Sequence, residues 1–578
     1  MLAQIGFVLA MVAVIVAVGK FSDFSGLPDA VVLTIVGLVY AVLPGPNLRL
    51  RPDVVLDLVI PPLLYHAALG SSLLALRSKL RTVVSLSVVL VLLTALAVGG
   101  LLAALVPAIP LGAAVALGAA VAPPDPVAAL AVGRTVGLPA RLSTLIEGEG
   151  LLNDATALTI YAVAIDAAVG GDFSFGHAAG LFALEVVGGL VLGVAVAWLV
   201  RLSRRVLSDP LSVNAVSLAT PFGAYAAGAA LHVSGVLAVV VAGLIIGHQN
   251  PRLQTGASRL QAGAVWQLVN FLLEGFVFLL IGEQLPVVLR GLHAYPTSTI
   301  AASAAITVGV VLLLRPAWLV LTQHVPRWLH SRLGGEDGDE ADDAGRPGPG
   351  GTGTPDTDSG GTDSGDSGSR DTDSRDVGRP LSGAEITALS WAGSRGVITL
   401  AAAFAIPVAT HAGHGFPDRD LLLFLAYLVV LVTLVGQGAT LGPLLRRLGL
   451  AANQVDLARL RNEARTAAVQ AALGRLDQMA SESGTEGELP EPVVSEMRRS
   501  LTARLNRYSR RLEFLEDNPD TLRAPGYEAA VRARRALIGA QHEELLRWRD
   551  AGRLPDDSLR VLQRELDHEE RTLPLPDD

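Results

Sequence analysis

Cysteine is absent from all 578 residues, which excludes disulfides, thiolate metal sites and cysteine nucleophiles. Charge is scarce as well. Asp, Glu, Lys and Arg make up 17% of the chain against 51% hydrophobic residues, and mean hydropathy is +0.47. An ordinary soluble domain carries about 25% charged residues, so this composition belongs to a membrane protein. Aromatic residues reach only 5%, which leaves Ala, Leu, Val and Ile to build the apolar runs. The shortage of charge is uneven: residues 1–333 and 380–448 are apolar, whereas 334–379 and 449–578 are polar. The net charge of −9 comes largely from those two polar segments, so no nucleic-acid partner is expected.

A bilayer crossing takes about 20 apolar residues, and the apolar parts divide into about thirteen such spans on that measure. The run from Leu2 to Val18 has no Lys or Arg before it, so it lacks the charged leader of a secretory signal and reads as a retained first span. Lys and Arg concentrate in alternate short loops, among them Arg77, Lys79 and Arg81, then Arg201, Arg204 and Arg205. Basic loops stay in the cytoplasm, which puts the N-terminus outside and the C-terminal tail inside.

Residues 334–379 are Gly, Ser, Asp, Thr and Pro with almost no apolar side chains. Nothing there repays the entropy of ordering, and a disordered cytoplasmic loop is expected. From 449 to 578 apolar residues recur every three or four positions between charges, the pattern of a solvated helical tail. Its HEELLRWRD and LDHEER runs lack the second histidine that a zinc HExxH site needs.

Three polar clusters interrupt the apolar spans. The first is LIEGEGLLNDATALTIYAVAI, which puts Glu147, Glu149, Asn153 and Asp154 on a helix that crosses the membrane. A charge at the bilayer centre costs at least about 2.5 kcal/mol, so such carboxylates face a partner or a water-filled path. The second is APPDPVA, where Pro123, Pro124 and Pro126 flank Asp125. Proline supplies no backbone donor, so the helix must break here, and broken backbone at membrane depth survives only around a cavity. The third is SWAGSRGVITLAAA, with Arg395 between Gly393 and Gly396. A buried guanidinium needs an acid, and Glu149 is the expected partner. Two interrupted helices in corresponding halves predict an all-α polytopic membrane protein of two inverted repeats with a site at the midplane.

With PPLLYHAAL (61–69), PFGAYAAGAALHVSGVLAVVVAGLIIG (221–247) and RPAW (315–318) added to these clusters, the chain resembles bacterial Na+/H+ antiporters. These are the NhaP-like branch of the monovalent cation:proton antiporters, which also includes the animal Na+/H+ exchangers. The resemblance implies a transporter rather than an enzyme, with no cofactor. It implies that Asp154 binds either a proton or a monovalent cation, with Asn153 beside it and Asp125 at the helix crossing. It implies that Glu149 and Arg395 form a buried pair that holds Asn153, and that homodimers in the cell membrane move a core domain against a dimerisation domain. A role in cytoplasmic pH and cation homeostasis follows. His66, Pro124 and Gly150 depart from the family pattern, each changing or removing an oxygen donor, which leaves Na+, Li+ or K+ open as the preferred cation. A K+-selective antiporter, a cation channel and an intramembrane aspartyl protease built on Asp125 and Asp154 are the other readings; the last lacks the expected GxGD motif.

Overall fold

Pro123, Pro124 and Pro126 end one helix and start the next. In a computed structural model, a helix runs Leu111–Val121 (α1), the chain opens at 122–125, and a second helix runs Pro126–Val136 (α2). Asp125 is the N-cap of α2, accepting from the Val127 N–H at 2.9 Å with Pro126 at the first helical position. That is the arrangement these residue types favour. The other interruption separates Gly383–Trp391 from Val397–Phe404, across 392–396. The structure describes residues 2–25, 27–43, 55–106, 109–170, 175–207, 209–254, 256–332, 381–410, 414–450, 454–481, 490–518, 525–551 and 553–571. The 334–379 loop lies outside them.

Among the described residues the fold is all-α, with no strand beyond an isolated bridge between Ala409 and Gly415. Seven helices among the described residues are long and apolar enough to cross a membrane, including Leu80–Leu105, Ala140–Val169 and Thr297–Thr322. Four shorter apolar helices, such as Asp29–Ala41 and Gly235–Asn250, join them. Small residues let helices approach: a Cβ on Gly37 would stand 2.1 Å from the Leu279 carbonyl oxygen, and one on Gly282 would stand 2.2 Å from that of Thr34. Membrane helices associate through such close backbone contact.

The other helices that carry the site are α3 (Ala140–Val169), α4 (Thr297–Arg332), α5 (Gly383–Trp391), α6 (Val397–Phe404) and α7 (Arg419–Leu431). Two π-helical segments also reach it, Ser85–Leu90 and Val432–Gln437, the latter continuing α7. A π segment inserts a residue into the helical ladder and re-aims the side chains around it.

Residues Ala452–Asp578 form a separate compact unit. Its first two helices, Gln454–Ser481 and Glu491–Asp517, pair through Val455, Ala458 and Leu515. Arg459–Glu516 and Arg498–Asp477 bridge them at 3.1 and 2.7 Å. Helices Pro525–Asp550 and Asp556–Arg571 make a second pair, joined by Arg534–Glu569 at 2.9 Å.

Candidate functional site

The two interruptions meet. The Asp125 N–H donates to the Ser394 carbonyl at 2.6 Å, and the Ser394 hydroxyl donates to the Asp125 carbonyl at 3.3 Å. The Asp125 carboxylate lies directly on the backbone of Gly396: a Cβ there would fall 1.6 Å from Asp125 Oδ2. No residue but glycine fits. The break thus satisfies backbone groups that neither helix can satisfy alone.

Arg395 is buried, 3% exposed, and its guanidinium faces carbonyls rather than a carboxylate. Nε donates to Val121 O at 3.1 Å, Nη2 to Ala122 O at 3.2 Å and Nη1 to Gly393 O. Its own N–H donates to Thr433 Oγ1 at 2.9 Å, on one of the π segments. The prolines leave the last carbonyls of α1 without donors, and a cation at a helix C-terminus is favourable both as a donor and for the helix dipole.

The expected Glu149–Arg395 pair is therefore not the one that forms. Glu149 pairs with Arg315 of α4 in a two-pronged bridge: Nη1 to Oε1, and Nη2 to Oε2 at 2.8 Å. The Arg315 Nε also donates to Leu389 O at 2.9 Å, in the last turn of α5. Each half-helix that ends at an interruption thus has terminal carbonyls received by an arginine. Gly393 separates the two guanidiniums; a Cβ on it would lie 2.9 Å from Arg315 Cδ and 3.1 Å from Arg395 Nη1. The sequence does carry a signal for Arg315, because RPAW places an arginine inside the run VGVVLLLRPAWLVL, where a charge needs a partner.

Asn153 is fully buried and donates from Nδ2 to Pro124 O at 2.8 Å, while its Oδ1 has no protein partner. It is held by the proline carbonyl at the break, not by a Glu149–Arg395 pair. The Glu149 carbonyl takes a bond from Ser87 Oγ at 3.1 Å, on the other π segment. Asp154, next to Asn153 on α3, is 5% exposed and close enough to Asp125 for the two carboxylates to interact. The structure thus brings Asp125, Asn153, Asp154, Pro124, Glu149 and Arg395 to one crossing, and adds Arg315.

His66 belongs to a different set of contacts. Its ring stacks on Trp266, 5.8 Å between centroids and 11° between planes, and Trp266 Nε1 donates to Ser217 Oγ at 3.2 Å. Gly150 does line the crossing, for a steric reason. A Cβ there would fall 2.5 Å from Pro126 Cγ, and a proline ring cannot swing away. Gly150→Ser is accordingly expected to lower melting temperature, by an overpacking cost of about 1–3 kcal/mol. A serine variant that melts like the parent would show that the crossing has room for the hydroxyl.

The sodium/hydrogen exchanger transmembrane pattern matches residues 8–447. An uncharacterized Na(+)/H(+) exchanger of Mycobacterium tuberculosis is 31% identical over 590 residues, covering 99% of this chain and 96% of the relative. The sodium, potassium, lithium and rubidium/H(+) antiporter of Bacillus subtilis is 27% identical, over 96% of this chain and 75% of its own. In fold, the chain is similar to the sodium proton antiporter MjNhaP1 of Methanocaldococcus jannaschii, with a TM-score of 0.54 at 17% identity, covering 78% of this chain and 99% of that one. A polytopic membrane transporter and not an enzyme, the chain belongs to the sodium/hydrogen exchanger family.

Proposed function

We propose that this protein exchanges a monovalent cation, Na+ first and Li+ or K+ next, for H+ across the cell membrane, by competition at Asp154. The observation that carries this reading is a buried carboxylate beside a second one, Asp125, where two interrupted helices cross. Asp154 releases its proton to one side and takes a cation there. The loaded or protonated form then turns to the other side. An empty, charged site is costly to move through an apolar barrier, which keeps the two fluxes coupled. Asn153, with its free Oδ1, offers the cation a neutral oxygen next to the charged one.

Residues 1–333 and 380–448 make up the transport domain in this proposal, working as a homodimer in lipid, with a core moving against a dimerisation domain. The N-terminus faces outside. The 334–379 loop and the 449–578 tail are cytoplasmic, and the protein serves pH and cation homeostasis. The name of the Bacillus subtilis relative, which lists potassium and rubidium beside sodium and lithium, keeps a K+ preference in view.

The test is proton movement in proteoliposomes after a jump in Na+, Li+ or K+ at a fixed pH. Movement driven by at least one of them is expected, and its absence for all three would remove the antiport reading. A channel is separated in the same vesicles: it would pass cations without driving protons.

Exchange is expected to be electroneutral, one cation for one proton. With Glu149 committed to Arg315 and Asn153 neutral, Asp154 is the carboxylate that changes ligand. If an extra charge crossed, a 100 mV potential would bias each cycle by about 2.3 kcal/mol. Voltage imposed with no ion gradient should therefore drive no net transport; sustained flux would mean that Asp125 carries a second proton.

A further inference from the structure

We infer that the hydroxyl of Thr399 supplies an oxygen to the transported cation at the Asp125–Asp154 crossing; this rests on the antiport reading above. Thr399 is 1% exposed and its Oγ1 has no hydrogen-bond partner in the protein. A buried hydroxyl in that state is uncommon, because threonine in a helix usually bonds its own backbone one turn back. Other buried threonines here do so: Thr34 to Ala30 O, Thr94 to Leu90 O, Thr159 to Ala155 O and Thr433 to Val429 O.

Thr399 has no such outlet because of where the helix starts. The residue four back is Arg395, in the interruption, and α6 begins only at Val397 after the N-cap Gly396 at φ −126°, ψ −147°. The carbonyl that a continuous helix would offer is not aligned with the axis. The break that builds the crossing also leaves this hydroxyl free.

Position follows from the same cap. Thr399 is the third helical residue after N-cap Gly396, and side chains at those two positions of a helix N-terminus are neighbours. At Gly396 the place of the missing side chain is taken by the Asp125 carboxylate, 1.6 Å from where a Cβ would be. The Asp125 carboxylate therefore stands beside the turn that carries Thr399, and α6 also packs against α3, the helix of Asp154.

The chemistry of the crossing calls for such a group. Hard cations are held by oxygen, yet Pro124 and Gly150 contribute no side-chain oxygen, and Pro124 O already accepts from Asn153 Nδ2 with one of its two lone pairs. With Thr399 Oγ1, the crossing offers two carboxylates, an amide oxygen and a hydroxyl.

Thr399→Val keeps the shape and removes the oxygen; Thr399→Ser keeps the oxygen. Exchange in proteoliposomes is measured against Na+, Li+ and K+ concentration, and melting of the purified protein is followed with and without each ion. The valine variant is expected to raise the KM for the preferred cation by about tenfold, the size of one lost polar contact. It should also reduce the stabilisation by that ion, whereas the serine variant returns both toward the parent. An unchanged KM and ion-induced shift in Thr399→Val would overturn the assignment. So would equal losses in the valine and serine variants, which would point to packing. If the valine protein does not survive purification, Thr399→Ala makes the same comparison. Failure of the antiport reading is separate, since the unsubstituted protein would then show no cation-driven proton movement.

Discussion

Asp154→Asn is expected to reduce cation-driven proton movement to the background of empty liposomes while leaving a folded, inserted protein. Asparagine copies the shape of the carboxylate but neither takes up and releases a proton nor carries the charge that attracts a cation. Its cost to the fold is small, because asparagine fills the space of the carboxylate, which is buried at 5% exposure. Removing a buried charge also removes its desolvation penalty. Melting temperature in detergent should therefore hold or rise, and any stabilisation by added Na+ should vanish. This combination separates a ligand-binding role from a structural one, in which activity and stability fall together. Near-normal exchange by purified Asp154→Asn protein would sink the assignment of Asp154 as the shared site.

Much of this site is legible in the amino-acid sequence. Three prolines around Asp125 cannot sit within one unbroken helix, and carboxylates in a long apolar run must be accounted for. The interruptions at 122–125 and 392–396 follow from Pro123, Pro124 and Pro126 and from the glycines flanking Arg395. The tail helices follow from apolar spacing alone. Partner choice is not legible. Glu149 and Arg315 are 166 residues apart, and whether Arg315 or Arg395 meets the carboxylate depends on how α3, α4 and the α5–α6 break pack. A pairing with Arg395 leaves out of account that a helix broken by prolines exposes carbonyls, which compete with a carboxylate for a guanidinium. The π segments at Ser85–Leu90 and Val432–Gln437 are equally hidden, since an extra residue in the helical ladder leaves hydropathy unchanged. Both bring a hydroxyl to the site, Ser87 to Glu149 O and Thr433 to the Arg395 N–H.

The corrected pairing makes its own prediction: Arg315→Met should destabilise the protein by about 3–5 kcal/mol, because it strands the Glu149 charge in a dry interior. The two side chains are 4% and 2% exposed, so water cannot take the place of the lost partner. Arg395→Met should also destabilise, by a different route. It leaves the neutral carbonyls of Val121, Ala122 and Gly393 unpaired, at a cost of about 1–3 kcal/mol for each one that stays dry. The two routes part when Glu149→Gln is added. In the Arg315→Met background the glutamine removes the stranded charge, so the double variant should melt higher than Arg315→Met alone. In the Arg395→Met background no charge has been stranded, and the same change should lower stability further by unpairing Arg315. Melting curves of the purified single and double variants in detergent give both cycles, and coupling of this kind identifies residues in direct contact. Relief by Glu149→Gln in the Arg395 background, with none in the Arg315 background, would restore the Glu149–Arg395 pair and leave Arg315 with only its bond to the Leu389 carbonyl.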